Sequence, residues 1–269
     1  MITSFLAILW DVDPEMVSVG PFSLRWYGLL FASGFYLGYL IMRKFFLQEG
    51  RSEEDLDRLF LYVLLGTVIG ARLGHVLFYE PRYYFAHPDE IYKVWHGGLA
   101  SHGGAIGILI AVYLYSRKYG QGTFLWVLDR LGIVVALGGA FIRIGNLMNS
   151  EILGTPAPTL PWAFVFQRVD TIPRHPVQLY ESLFYFLTFW ILYFLYQKKQ
   201  SATPQGLLFG LFLLLVFGFR FLVEFVKEPQ SEFGLPYGLR MGQLLSIPFI
   251  LIGVWLVWRV KIKQRLLED

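Results

Sequence analysis

The chain has 269 residues, of which 55% are hydrophobic, 18% aromatic and only 16% charged, a balance that excludes an ordinary soluble domain and fits a polytopic membrane protein. Its net charge of +3 is small and its basic residues fall in short loops, which argues against a nucleic-acid partner. With no cysteine it has no disulfide, thiolate metal site or cysteine nucleophile, so any thiol chemistry must use a substrate's thiol.

Taken in chain order, residues 1–22 read as an arm at the membrane interface. Their apolar run ends at Asp11, Asp13, Pro14 and Glu15 before it is long enough to span, and no basic leader or small-residue cleavage site marks a signal peptide. Seven apolar runs of roughly spanning length follow, at residues 23–46, 59–79, 99–116, 125–147, 179–197, 206–226 and 242–260. Two longer connections, residues 80–98 and 150–178, carry seven prolines and read as irregular extramembrane segments.

Twelve of the 23 basic residues lie in alternate connections, at Arg43 to Arg58, Arg117 to Lys118, Lys198 to Lys199 and Arg259 to Arg265; seven lie on the other side. The positive-inside rule then places the amino terminus outside and the carboxyl terminus in the cytoplasm, as seven spans require. The expected fold is therefore all-α: one membrane domain, residues 1–269, with seven transmembrane helices and both Pro-rich connections outside.

The fourth run ends in Arg143-Ile-Gly-Asn-Leu-Met-Asn-Ser-Glu-Ile-Leu-Gly154. An ionised group at mid-bilayer costs roughly 2.5 to 3.5 kcal/mol on insertion scales, so such a cluster belongs to a polar site facing the outer side or to buried contacts between helices. At about 100° per residue, Arg143, Asn146, Glu151 and Gly154 share one broad face if the helix continues. Arg220 and Glu224, four apart in the sixth run, are expected to meet on one helical face, as a self-neutralising pair or with Arg220 turned to an anionic head group.

His102 lies among glycines in Gly97-Gly-Leu-Ala-Ser-His-Gly-Gly104 and reads either as a general base near neutral pH or as a hydrogen-bonded structural residue. Three weaker candidates remain. Trp26 and Tyr27 line a site or belong to the interfacial aromatic belt. Arg72 and His75 form a structural pair with Asp129 or Glu181. His175, Tyr180 and Glu181 lack the second histidine a metal centre needs, so no metal is expected, and no cofactor.

At Leu24-Arg-Trp-Tyr-Gly28, the His102 segment, the Arg143 to Gly154 segment, His175-Pro-Val-Gln-Leu-Tyr-Glu181, Arg220-Phe-Leu-Val-Glu-Phe225 and Met241-Gly-Gln-Leu-Leu-Ser-Ile-Pro248, the chain resembles the bacterial prolipoprotein diacylglyceryl transferases. It departs from the family pattern at Ile142, Leu147 and Lys227, where glycine, phenylalanine and arginine are common. The resemblance implies an enzyme of the cytoplasmic (inner) membrane, its active site facing the outer side. That enzyme moves the diacylglyceryl group of phosphatidylglycerol to the lipobox cysteine of a prolipoprotein signal peptide and releases glycerol phosphate, the first step of lipoprotein maturation.

It also implies roles. Arg143 and Arg220 hold the phosphate, Asn146 and Glu151 position the head group and hold Arg143, Gly154 permits close approach, Tyr27 donates a hydrogen bond and Glu224 orients Arg220. The thiol loses its proton to His102 or through the field of Arg143. The competing readings are another phospholipid-dependent transferase and a small-solute or ion transporter.

Overall fold

In the computed structural model, residues 7–20, 22–119, 124–229 and 239–268 are described; residues 1–6 and 21 of the expected arm lie outside them. The chain forms two compact units, one of residues 1–41 with 129–269 and one of residues 42–128.

Long helices dominate: α1 (Trp26–Gln48), α2 (Glu53–Phe78), α4 (Ser101–Tyr119), α5 (Phe124–Met148), α6 (Val177–Lys199), α7 (Leu207–Val223) and α8 (Met241–Glu268), with a short α3 (Pro81–Ala86). Six are long and apolar enough to cross a membrane. Helix α4, over the third expected span, is not among them; glycines at its start and Arg117-Lys118 in its last turn lower its hydropathy.

The fold is mostly helical rather than all-α. Strands β1 (Ile8–Trp10), β2 (Glu15–Val19), β3 (Phe22–Arg25), β4 (Phe164–Phe166) and β5 (Pro173–Arg174) occupy the arm and the second Pro-rich connection. β2 and β3 form an antiparallel hairpin that leads directly into α1. β1 pairs parallel with β4, and β4 antiparallel with β5. Bridges Pro156–Arg174 and Gly154–Lys227 continue this sheet, so the segment after α5 lies between β5 and the segment after α7. Phe164, Phe166 and Leu147 pack beneath it against Trp10, Leu153 and Leu179, and the Trp10 indole N–H donates to the Leu147 carbonyl at 3.0 Å.

Within residues 42–128, α2 presents Gly66, Gly70 and Gly74 to Gly103 and Gly107 of α4. Four-residue spacing puts these glycines on one helical stripe, and without side chains the two backbones come into direct contact. A methyl group on Gly70 would sit 2.8 Å from the Gly107 Cα, and one on Gly74 2.7 Å from the Gly103 Cα. Gly70→Ala is therefore expected to lose about 3 kcal/mol of stability, the upper range for overpacking, in unfolding of the detergent-solubilised protein; a loss below about 1 kcal/mol would contradict the packing.

Among the described residues no ion pair joins Arg72 to the expected Asp129 or Glu181. Its buried guanidinium donates to the carbonyls of Glu90 (2.6 Å), Ile91 (2.8 Å), Gly97 (2.6 Å) and Gly98 (3.2 Å) and lies over the Tyr84 ring. Gly97 and Gly98 have φ of +86° and +68°, which glycine adopts without strain and which bends the chain over Arg72 into α4. Asp129 instead caps α7, accepting from the backbone N–H groups of Gly206 (2.7 Å) and Phe209 (2.8 Å). Asp129→Asn, which keeps the size but replaces one acceptor oxygen with a donor, is expected to cost about 1–3 kcal/mol in the same unfolding measurement.

Candidate active site

Helix α5 stops at Met148, and the expected continuous face through Glu151 is not helical. Ser150 (φ +51°) and Ile152 (φ +59°) turn the chain back, so that the Glu151 N–H donates to the Asn146 carbonyl at 3.0 Å. The polar residues meet by this reversal. Arg143 Nη1 donates to Asn146 Oδ1 (3.1 Å), and Asn146 Nδ2 to Glu151 Oε1 (2.7 Å), which Asn149 also reaches at 3.3 Å. Glu151 thus acts on Arg143 through Asn146. Gln178, fully buried on α6, anchors the turn by donating to the Glu151 carbonyl at 2.7 Å.

The ion-pair partner of Arg143 is Glu181, also fully buried on α6, with Nε 3.1 Å from Oε2. One turn further along α6, Tyr185 lies within electrostatic range of the same guanidinium. The second cation beside Glu181 is Lys227, its Nζ 3.8 Å from Oε1. Lys227 is only 2% exposed. Burial holds its ammonium down at about 8, helped by the charges of Arg143 and Arg220 and opposed by Glu181 and Glu224.

Arg220 is within electrostatic range of Tyr185 and Lys227, which brings it to the same cluster. It does not form the expected pair with Glu224. Helix α7 ends at Val223, and Glu224 opens a tighter 3-10 turn, so the i, i+4 geometry is lost; among the described residues no ion pair joins the two. The Glu224 carboxylate lies against Gly242 on α8, where a methyl group would sit 2.7 Å from Oε1. Arg240 donates to the carbonyls of Glu224 and Lys227 and holds this turn from the α8 side.

Tyr27 packs on Gly145, where an added methyl would meet its Cδ2 at 2.8 Å, and it lies within electrostatic range of Glu151 and Arg143. Gly154 pairs with Lys227 and lies against His175. His175 and Trp162 both contact the Tyr180 hydroxyl, at 3.3 and 2.9 Å, while Arg174 pairs with Asp170 (2.6 Å) and Glu228 (2.8 Å). His102 stands in the first turn of α4, in the other unit. Among the described residues no three histidine or acidic side chains gather as a metal site.

Of the residues expected at the site, Arg143, Asn146, Glu151, Gly154, Tyr27 and Arg220 therefore fall in one region of the first unit. Glu181, Tyr185, Gln178 and Lys227 join them. Glu181 and Gln178 stand inside a motif already visible in the sequence, and Tyr185 follows Glu181 at helical spacing; Lys227 was marked by its proximity to Arg220 and as a place where arginine is common in the family it resembles.

The arrangement sets Arg143 and Lys227 against one buried carboxylate with Arg220 within electrostatic range of Lys227, and arginine's fixed fork suits phosphate oxygens. Residues 14–259 match the family model for prolipoprotein diacylglyceryl transferase. The chain is 53% identical to the phosphatidylglycerol–prolipoprotein diacylglyceryl transferase of Chloroherpeton thalassium, over 97% of each chain. It is 51% identical to that of Tolumonas auensis, over 93% of this chain and 96% of the relative, and 46% identical to that of Porphyromonas gingivalis, over 94% of each.

Proposed function

The chain belongs to the prolipoprotein diacylglyceryl transferase family, and from that premise we propose that it transfers the diacylglyceryl group of phosphatidylglycerol to the lipobox cysteine of a prolipoprotein. The observation that carries the reading is Arg143 paired with the buried Glu181, with Arg220 within electrostatic range of the neighbouring Tyr185. A phosphodiester brings the anion that such a group, in a low-dielectric site, is built to accept.

In the reaction the thiol sulfur attacks the glycerol carbon that bears the phosphate ester. The carbon–oxygen bond breaks, its electron pair leaves on the phosphate oxygen, and glycerol phosphate departs as the thioether forms. Negative charge on the phosphate grows along this path, and Arg143 and Arg220 stabilise it. Asn146 and Glu151 hold Arg143 and contact the head group, Gly154 leaves room beside it, and Tyr27 donates a hydrogen bond. Glu224, turned toward α8, fixes the turn that follows Arg220.

A free thiol has a pKa of about 8.5, so a base speeds its attack, and His102 takes that role. His102→Gln is expected to lower the turnover rate by about 100-fold, within the usual range for a general base. Near-normal transfer by that variant would remove the role and leave the arginine field to ionise the thiol.

The six apolar helices make this a membrane protein. Helix α4 serves as the seventh span, which gives an outside amino terminus, a cytoplasmic carboxyl terminus and one transferase domain in the bacterial cytoplasmic membrane with its site facing outward. Support comes from the alternation of basic loops. The test of function is mass spectrometry of a lipobox peptide incubated with phosphatidylglycerol and the purified protein. A diacylglyceryl thioether is expected, and none with a serine in place of the peptide cysteine; no adduct on the cysteine peptide would refute the reading.

A further inference from the structure

Lys227 carries an ammonium with three N–H donors on a residue only 2% exposed, and the carboxylate oxygen it is paired with, on Glu181, lies 3.8 Å away, beyond hydrogen-bonding distance. Both Glu181 oxygens are buried and accept no hydrogen bond among the described residues. A buried ion pair is costly unless its donors and lone pairs are satisfied, and at 3.8 Å Glu181 satisfies the ammonium only by charge.

The backbone leaves Lys227 little freedom to improve the contact. Its flanking residues are tied to the segment after α5, with Thr155 N–H donating to Val226 O and Glu228 N–H to Leu153 O, each at 2.9 Å. Its own N–H donates to Glu224 O at 3.3 Å, and its carbonyl accepts from Arg240. The side chain faces Glu181 of α6, Arg143 of α5, Arg220 of α7 and Glu224 of the following turn.

We propose that Lys227 is a third cation for the lipid phosphate, and that Glu181 is a positioning residue which holds Lys227 and Arg143 beside the place the phosphate takes. The inference rests on the transferase reading and names a further phosphate ligand within it. When the phosphodiester anion arrives, its oxygen gives Lys227 an acceptor at hydrogen-bonding distance, closer than Glu181, and Glu181 keeps its pairing with Arg143.

A consequence separates this role from plain structural filling. The ammonium titrates near 8. Only its charged form attracts the anion, so lipid affinity is constant below that pH and falls as pH rises through it. An arginine at the same place stays charged and removes the pH dependence.

The test is equilibrium binding of a fluorescent short-chain phosphatidylglycerol to the purified full-length protein in uncharged detergent, without peptide, from about pH 6.5 to about 9.5. Omitting the peptide removes the substrate thiol from the titration. Wild-type Kd is expected to rise up to about tenfold per pH unit above the midpoint. Lys227→Arg should flatten that rise, and Lys227→Met should weaken binding about 10- to 100-fold at neutral pH, the scale of a lost hydrogen bond to a charged group.

A pH-independent wild-type Kd, a rise that survives in Lys227→Arg, or a Lys227→Met Kd within about twofold of wild type would overturn the proposal. Should Lys227→Met fail to fold, the wild-type and Lys227→Arg profiles decide it. Thioether formation by the wild-type protein, measured in parallel, keeps a failure of the transferase reading distinct from a failure of Lys227.

Discussion

Replacing Arg143 by alanine is expected to abolish diacylglyceryl transfer and to destabilise the protein at the same time. The guanidinium is the nearest cation to Glu181, which is fully buried, and it also holds Asn146 and through it Glu151. Removing one member of a buried ion pair costs about 3–5 kcal/mol, and here Glu181 keeps only the more distant Lys227, at 3.8 Å. The double variant Arg143→Ala with Glu181→Gln removes that charge but takes the carboxylate from Lys227, so it should recover only part of the lost stability while transfer stays absent.

Arg143→Lys completes the test. It keeps a charge beside Glu181 but loses the fork that spans Asn146 and a phosphate oxygen, and transfer should fall by about 100-fold with a much smaller loss of stability. Unfolding of the detergent-solubilised variants, alongside the peptide lipidation assay, reads both quantities. A fully active Arg143→Ala enzyme would remove the residue from the mechanism.

The second large effect is expected at Gly154. A methyl group there would lie 2.6 Å from the His175 Cβ and 3.0 Å from its carbonyl carbon. His175 cannot retreat freely, since its N–H donates to Thr155 O (3.2 Å) and Ala157 N–H donates to Pro173 O (2.7 Å) in the same pairing. The strain therefore passes to the other side of the segment, where Gly154 pairs with Lys227. Gly154→Ala should lower transfer by about 100-fold, the scale of a displacement near 1 Å at a reacting centre, while helical circular dichroism is retained. Wild-type activity in Gly154→Ala would show that the pairing tolerates the displacement.

Much of this was legible in the sequence because lipid leaves few reasons for polar residues inside apolar runs. Arg143, Asn146 and Glu151 stood out on that ground, and they do meet, although through a chain reversal at Ser150 and Ile152 rather than along a helix. Helical spacing suggested an Arg220–Glu224 pair and could not reveal that α7 stops between them. The strands escaped notice because β1, β4 and β5 are two or three residues long and two of them sit in a Pro-rich connection. Glu181 and Lys227 come from distant segments, and only the folded chain shows that a single carboxylate stands between Arg143 and Lys227.

The extension of the sheet beyond β5 also bears on how a two-tailed lipid is admitted. The segments after α5 and α7 and the one before α6 are laced together by backbone hydrogen bonds, and Arg240 ties the start of α8 to the same knot. Parting any two of these helix ends breaks several such bonds, each worth about 1 kcal/mol net and more where water is scarce. Admission at the knotted ends is therefore slow. Entry of the acyl tails by any route that leaves these bonds intact avoids that cost, and the knot then keeps the head-group cations in place.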